Sequence, residues 1–137
     1  MVYLDTSAVL RVLLKQAGPL DLWGKWETAY SSEILVGEAR RVIDRMRVQG
    51  EILDEDLARA HEDLARIEGT IGNIPVTRPV LRRASMPMPT SVRSLDAIHL
   101  ASALLTQERR GDSLVFATHD IKQGTAARAL GFQCVGL

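Results

Sequence analysis

Cys134 is the only cysteine, so no internal disulfide can staple this chain, and the composition fits a reducing compartment. A lone thiol in an apolar segment is read as packing material. No apolar run approaches the ~18 residues that a membrane-crossing helix needs. The N-terminus also lacks the charged-then-apolar layout of a signal peptide, which sets the expectation of a soluble, cytoplasmic protein. There is no excess charge of either sign: seventeen Lys and Arg balance seventeen Asp and Glu. A nucleic-acid partner would therefore have to be held by local patches and not by net charge. Repeats, linkers and low-complexity stretches are absent, and aromatics are only 4% of the chain. With 46% hydrophobic residues, 137 residues suit one domain, spanning 1–137, around one core.

Short β-prone runs alternate with helical ones. Met1–Leu4 is apolar and ends at Asp5-Thr6-Ser7, a trio able to cap a helix over Ala8–Leu14 that Gly18-Pro19 stops. A strand is expected around Thr28–Ser31, a helix opening at Ser32 and reaching Val48, and a second helix over Asp54–Glu68. In that second helix Leu53, Leu57, Ala60, Leu64 and Ile67 recur at helical spacing. A short strand at Ile74–Val76 and helices at Pro79–Ala84 and Ser94–Thr106 follow. Ser113–Ala117 reads as a buried strand, Ile121–Leu130 as a helix closed by Gly131, and Phe132–Val135 as a last strand. This alternation predicts an α/β fold with a mostly parallel sheet.

Four acids stand out. Asp5 and Asp120 each follow a strand, where open α/β sheets bind ligands. Asp96 is the only charged residue between Ser94 and Thr106, with His99 counted neutral. A carboxylate on so apolar a helix is costly unless paired or bound to a cation. Each of the three is also a natural helix cap, which is the plain alternative. At 100° per residue, Glu38 falls on the apolar face made by Leu35, Ala39, Val42, Ile43 and Met46, whereas Glu33 falls on the polar side. A core ion pair with an arginine is the alternative for Glu38. Four acids without Cys or His ligand spacing suit Mg²⁺ or Mn²⁺, hard cations that take carboxylate and water oxygens. Like charges brought together in this way are expected to raise one another's pKa.

These segments resemble the PIN-domain family. Val2-Tyr3-Leu4-Asp5-Thr6-Ser7-Ala8 looks like the family's opening, and Ser32–Arg41 like its second acidic motif, whose later acid is Glu38. Leu95-Asp96-Ala97-Ile98-His99-Leu100-Ala101-Ser102-Ala103 is similar to the third, and Phe116-Ala117-Thr118-His119-Asp120 to the fourth. Length and the two central helices look most like toxins of the VapC type. The resemblance implies a three-layer α/β/α fold and a quartet of Asp5, Glu38, Asp96 and Asp120 around Mg²⁺ or Mn²⁺. It also implies endonucleolytic cleavage of RNA and neutralisation by a small VapB-like antitoxin. Thr6 or Ser7 would hold the first acid or a bound water, and Thr118 likewise. Gly37 departs from the bulkier residue more usual before that Glu.

Arg41, Arg45 and Arg93 are the candidate phosphate contacts, a solvated helix face being the alternative. Among the histidines, His99 reads as a packed helix residue with a possible orienting role. His119 reads as a loop residue, and His61 as inert on a charged surface. Leu20, Leu22, Trp23 and Trp26 suit either a homodimer or antitoxin surface, or ordinary packing. A haloacid-dehalogenase-type phosphatase would need an Asp where Ser7 stands. A response-regulator receiver would need paired N-terminal acids and a late Lys. The remaining rivals are a PIN fold that binds RNA or protein without cutting, and a housekeeping PIN nuclease without an antitoxin.

Overall fold

The computed structural model describes residues 1–137. Five strands and six helices follow one another as β1 (Val2–Leu4), α1 (Thr6–Leu13), β2 (Ala29–Ser32), α2 (Ile34–Val48), α3 (Asp54–Thr70), β3 (Gly72–Ile74), α4 (Arg78–Ala84), α5 (Ser94–Arg110), β4 (Val115–Ala117), α6 (Ile121–Ala129) and β5 (Gln133–Val135). The strands form one sheet in the order β3-β2-β1-β4-β5, and every pairing is parallel. The central strand β1 pairs Val2 with Ala29 on one side and with Val115 on the other.

Alternation along β1 divides the core. Val2 and Leu4 face a cluster with Val9 and Leu13 of α1, Leu35 and Ile43 of α2, and Leu64 of α3. Tyr3 points the other way, into a cluster with Leu100 of α5, Phe116 of β4, Ala126 of α6 and Phe132. Helices therefore cover both faces, giving the three-layer α/β/α arrangement expected of a parallel sheet buried on both sides. The chain builds outward from β1 to β2 and β3, then returns and builds the other way through β4 and β5. The β1–β4 boundary is thus the switch in strand order, and its carboxyl edge is where such sheets bind ligands.

Several boundaries differ from expectation. The third strand ends at Ile74 instead of running to Val76. Pro75 has no N–H to give to a ladder, and the Val76 N–H goes to Glu33 Oε1 at 2.6 Å. The helix expected to open at Ser32 starts at Ile34, with Glu33 in the N-cap position. Ser32 stays in β2, fully buried, because its N–H donates to the Tyr3 hydroxyl at 3.1 Å. The N-cap of α5 is Arg93 and not Ser94, and the helix continues through Glu108-Arg109-Arg110 to Gly111, whose φ of 72° terminates it. Leu20 is buried, and Leu22, Trp23 and Trp26 pack against the core's edge, the two indoles edge-to-face at 5.1 Å.

Candidate active site

Asp5 leaves β1 with its N–H donated to the Ala117 carbonyl at 2.9 Å, so the backbone ladder itself sets its position. It is the N-cap of α1 and is buried. Its Oδ2 accepts from Ser7 N (3.2 Å), Ser7 Oγ (2.5 Å) and Thr118 Oγ1 (2.9 Å). Thr118 in turn accepts the Asp120 N–H at 3.0 Å, and Ser7 Oγ accepts the His119 N–H at 2.9 Å. The first and fourth acidic segments are thereby stitched together across the switch point. Asp120 caps α6, its Oδ1 accepting from Lys122 N (2.8 Å) and Gln123 N (3.1 Å). The His119 ring is turned away from the acids, Nδ1 meeting the Gly136 carbonyl oxygen at 2.6 Å, and His61 is exposed on α3.

Glu38 reaches inward from α2, its side chain 21% exposed. No arginine pairs with it in the core. Its Oε1 instead accepts from Thr6 Oγ1 at 2.7 Å and lies 2.6 Å from His99 Nε2. The same Nε2 is 3.1 Å from Thr6 Oγ1 and 3.9 Å from Asp5 Oδ1, so one imidazole stands between the two acids. Burial by itself would raise the Glu38 pKa. The hydrogen bond and positive charge of His99, the Thr6 hydroxyl and the Arg93 charge outweigh it and hold the carboxyl below its ordinary range. The expectation that mutual repulsion raises these acids therefore fails at Glu38, because donors and a cation outnumber the like charges around it. Thr6 and Ser7 divide their work: Ser7 holds the first acid, and Thr6 holds the second.

Asp96 occupies the first turn of α5, its side chain 17% exposed. Its Oδ2 accepts from Arg93 N and Nε, each at 3.4 Å. With Glu38 it lines a groove of about 760 Å³ between α2 and the start of α5, where Arg41, Arg45 and Arg93 also lie. Arg41 is partly engaged by Asp44 at 3.3 Å, and both Arg41 and Arg93 are largely exposed. Glu33 is exposed on the far side of the helix, as its position on the polar face predicted, but ties down the Val76 N–H.

The acids thus fall into two linked pairs. Asp5 is tied to the Asp120 segment, and Glu38 shares a groove with Asp96, with Thr6 and His99 joining the pairs. Capping and ligand roles coexist: each carboxylate commits one oxygen to protein hydrogen bonds, and its second oxygen accepts none. No three His, Cys, Asp or Glu side chains approach closely enough to form a ready-made metal cage. All-oxygen donors in so open an arrangement fit a cation that keeps several waters and needs only one or two carboxylates, as Mg²⁺ does.

Two residues at this centre were under-read from sequence. His99 passed as a packed histidine and Tyr3 as a strand former, yet Tyr3 Oη lies 2.8 Å from His99 Nδ1. The available signal was an imidazole three residues after Asp96 on an otherwise uncharged helix.

Fold and site together define a class of protein, a parallel α/β domain with an acidic site at its strand-order switch. The family model described as PIN domain matches residues 2–128, and the chain belongs to the PIN-domain family. It is similar to Ribonuclease VapC47 of Mycobacterium tuberculosis (strain CDC 1551 / Oshkosh), 33% identical over 139 residues that cover 96% of this chain and 93% of the relative. Ribonuclease VapC45 of the same strain and Ribonuclease VapC49 of Mycobacterium tuberculosis (strain ATCC 25618 / H37Rv) are each 29% identical over 136 residues. In both cases these cover 96% of this chain and 92% of the relative. No helix is long and apolar enough to cross a membrane.

Proposed function

We propose that this chain is a divalent-metal-dependent endoribonuclease of the VapC type, the toxin half of a toxin–antitoxin pair. One observation carries the reading. Four acids from separate elements gather around the carboxyl edge of β1 and the adjoining groove, each with one anchored oxygen and one that the protein leaves unused. The ribonuclease relatives give the class of substrate.

Asp5 and Glu38 are the inner pair that would hold Mg²⁺ or Mn²⁺, with Asp96 and Asp120 reaching it directly or through water. When bound, such a cation supplies Lewis acidity to the scissile phosphate and to the attacking water. The residues of the chain do the rest. Ser7 and Thr118 fix Asp5 in one rotamer, while Thr6 and His99 fix Glu38. Arg41, Arg45 and Arg93 line the groove where they can hold phosphates of the strand on either side of the cut. Water oxygen adds to phosphorus, the ribose oxygen leaves, and a proton passes from the water towards the leaving group.

A small VapB-like antitoxin is the expected protein partner, and it would silence the site by bringing a cation into the acidic groove. A second copy of the chain is the other expected partner. RNA cleavage with Mg²⁺ or Mn²⁺, with and without chelator, tests the activity. Wild type should cut only with metal, and Asp96→Asn should be inactive. Full activity in EDTA, or in Asp96→Asn, would sink the metal mechanism. Co-expression with the neighbouring reading frame should yield a stable complex and relieve toxicity.

A further inference from the structure

We infer that Tyr3 and His99 form a buried brace whose task is to present Glu38 to the cation, with His99 as a positioning residue. This rests on the metal-dependent reading of the site. The brace starts at the backbone: Ser32 N–H donates to Tyr3 Oη at 3.1 Å, and Tyr3 Oη lies 2.8 Å from His99 Nδ1. At the other end of the ring, Nε2 is 2.6 Å from Glu38 Oε1. A carboxylate oxygen cannot donate, so Nε2 carries the proton. In the neutral ring Nδ1 is then the acceptor, and the Tyr3 hydroxyl donates to it.

The phenol suits this task. Burial first, and then the negative charge of Asp5, push its pKa well above the ordinary value, so Tyr3 keeps its proton to donate. Neither ring has freedom to swing. Tyr3 is fully buried, stacked on Phe116 at 5.2 Å with an interplanar angle of 13°, and meets His99 edge-to-face at 5.8 Å. His99 is itself only 1% exposed. With Oε1 held by His99 and Thr6, the carboxylate rotor of Glu38 is locked and Oε2 remains as its free donor. Partners that orient a ligating carboxylate are typically worth 10–100-fold in metal affinity or activity. Simple core filling would not require an imidazole whose two nitrogens both find partners across three elements.

The test uses the full chain, with Tyr3→Phe, His99→Gln and His99→Leu. Calorimetric titration of Mn²⁺ and the ¹⁵N shifts of the His99 ring, at mildly alkaline pH, are the readouts. Wild type should show one neutral tautomer with the proton on Nε2. Tyr3→Phe, which keeps the stacked ring, should let the other tautomer appear and weaken Mn²⁺ binding. His99→Leu should weaken Mn²⁺ binding about 10–100-fold. His99→Gln, whose amide N–H reaches the same carboxylate, should recover most of that loss. Equal weakening in both His99 variants, undiminished affinity in His99→Leu, or a wild-type ring protonated on Nδ1 would overturn the brace and leave the metal reading standing. Should His99→Leu fail to fold, Tyr3→Phe decides alone: an unchanged tautomer and affinity overturn the proposal. Wild type that binds no Mn²⁺ overturns the metal reading, and this inference with it.

Discussion

Thr118 Oγ1 donates to Asp5 Oδ2 at 2.9 Å, joining residues 113 positions apart at the boundary between β1 and β4. The same oxygen accepts the Asp120 N–H at 3.0 Å. Thr118→Val keeps the shape and removes both bonds, leaving buried polar groups unpaired. Stability should fall by about 1–3 kcal/mol, measurable by urea denaturation, and cleavage should fall about 10–100-fold. Thr118→Ser should retain most of both. Wild-type cleavage by Thr118→Val would mean that Asp5 needs no such support.

Glu38 and Glu33 lie five residues apart on or beside one helix, and their substitutions should separate cleanly. Glu38→Gln should abolish most cleavage, since it loses a charged ligand within the acidic centre. Glu33→Gln should cut RNA normally and lose only a little melting temperature, because its contact is to the Val76 N–H. The reverse order of severity would assign the site to the wrong face of α2.

The depressed pKa of Glu38 has a definite sign in stability. Its folded pKa lies below the unfolded reference of 4.5, so its stabilising contribution is complete above that pH. It is lost as pH falls from there through the folded pKa, where the protonated acid no longer accepts from both Thr6 and His99. In apo protein, the stability of wild type should therefore fall more steeply than that of Glu38→Gln across this acid window. Parallel curves would show that Glu38 gains nothing from its donors.

Metal should stabilise the native state, because the unfolded chain offers no assembled site. Mn²⁺ should raise the melting temperature of wild type in a concentration-dependent way. Asp96→Asn keeps an acceptor for the Arg93 N–H, so it should melt close to wild type in EDTA and gain less from Mn²⁺. Strong destabilisation of Asp96→Asn in EDTA would make that residue a structural cap and no ligand.

Two glycines should respond to alanine in opposite directions. A Cβ at Gly72 would come 2.5 Å from Cδ1 of the Tyr30 ring, which is held under the Arg110 guanidinium at 4.7 Å. Gly72→Ala should cost about 1–3 kcal/mol from overpacking. A Cβ at Gly37 meets nothing within 4 Å, so Gly37→Ala should stabilise α2 by about 1 kcal/mol. Thermal melts of the two variants check both signs.

Hydrophobic periodicity and local chemistry carried much of this protein on their own. Strand-then-acid junctions at Asp5 and Asp120, the inward face of Glu38 and the solitary charge of Asp96 are local patterns, and burial enforces them wherever the segment packs. Boundaries that depended on distant partners were not legible in the same way. The third strand stops at Ile74 because Glu33 takes the Val76 N–H, and Ser32 remains in its strand because Tyr3 takes its own. Nor does any local pattern say that His99 stands between Asp5 and Glu38, or that Thr6 serves the second acid and not the first. Those pairings join residues 32 to 96 positions apart. The strand order that brings β4 beside β1 decides them, because a hydrogen bond depends on distance in space, and only the folded sheet sets that distance.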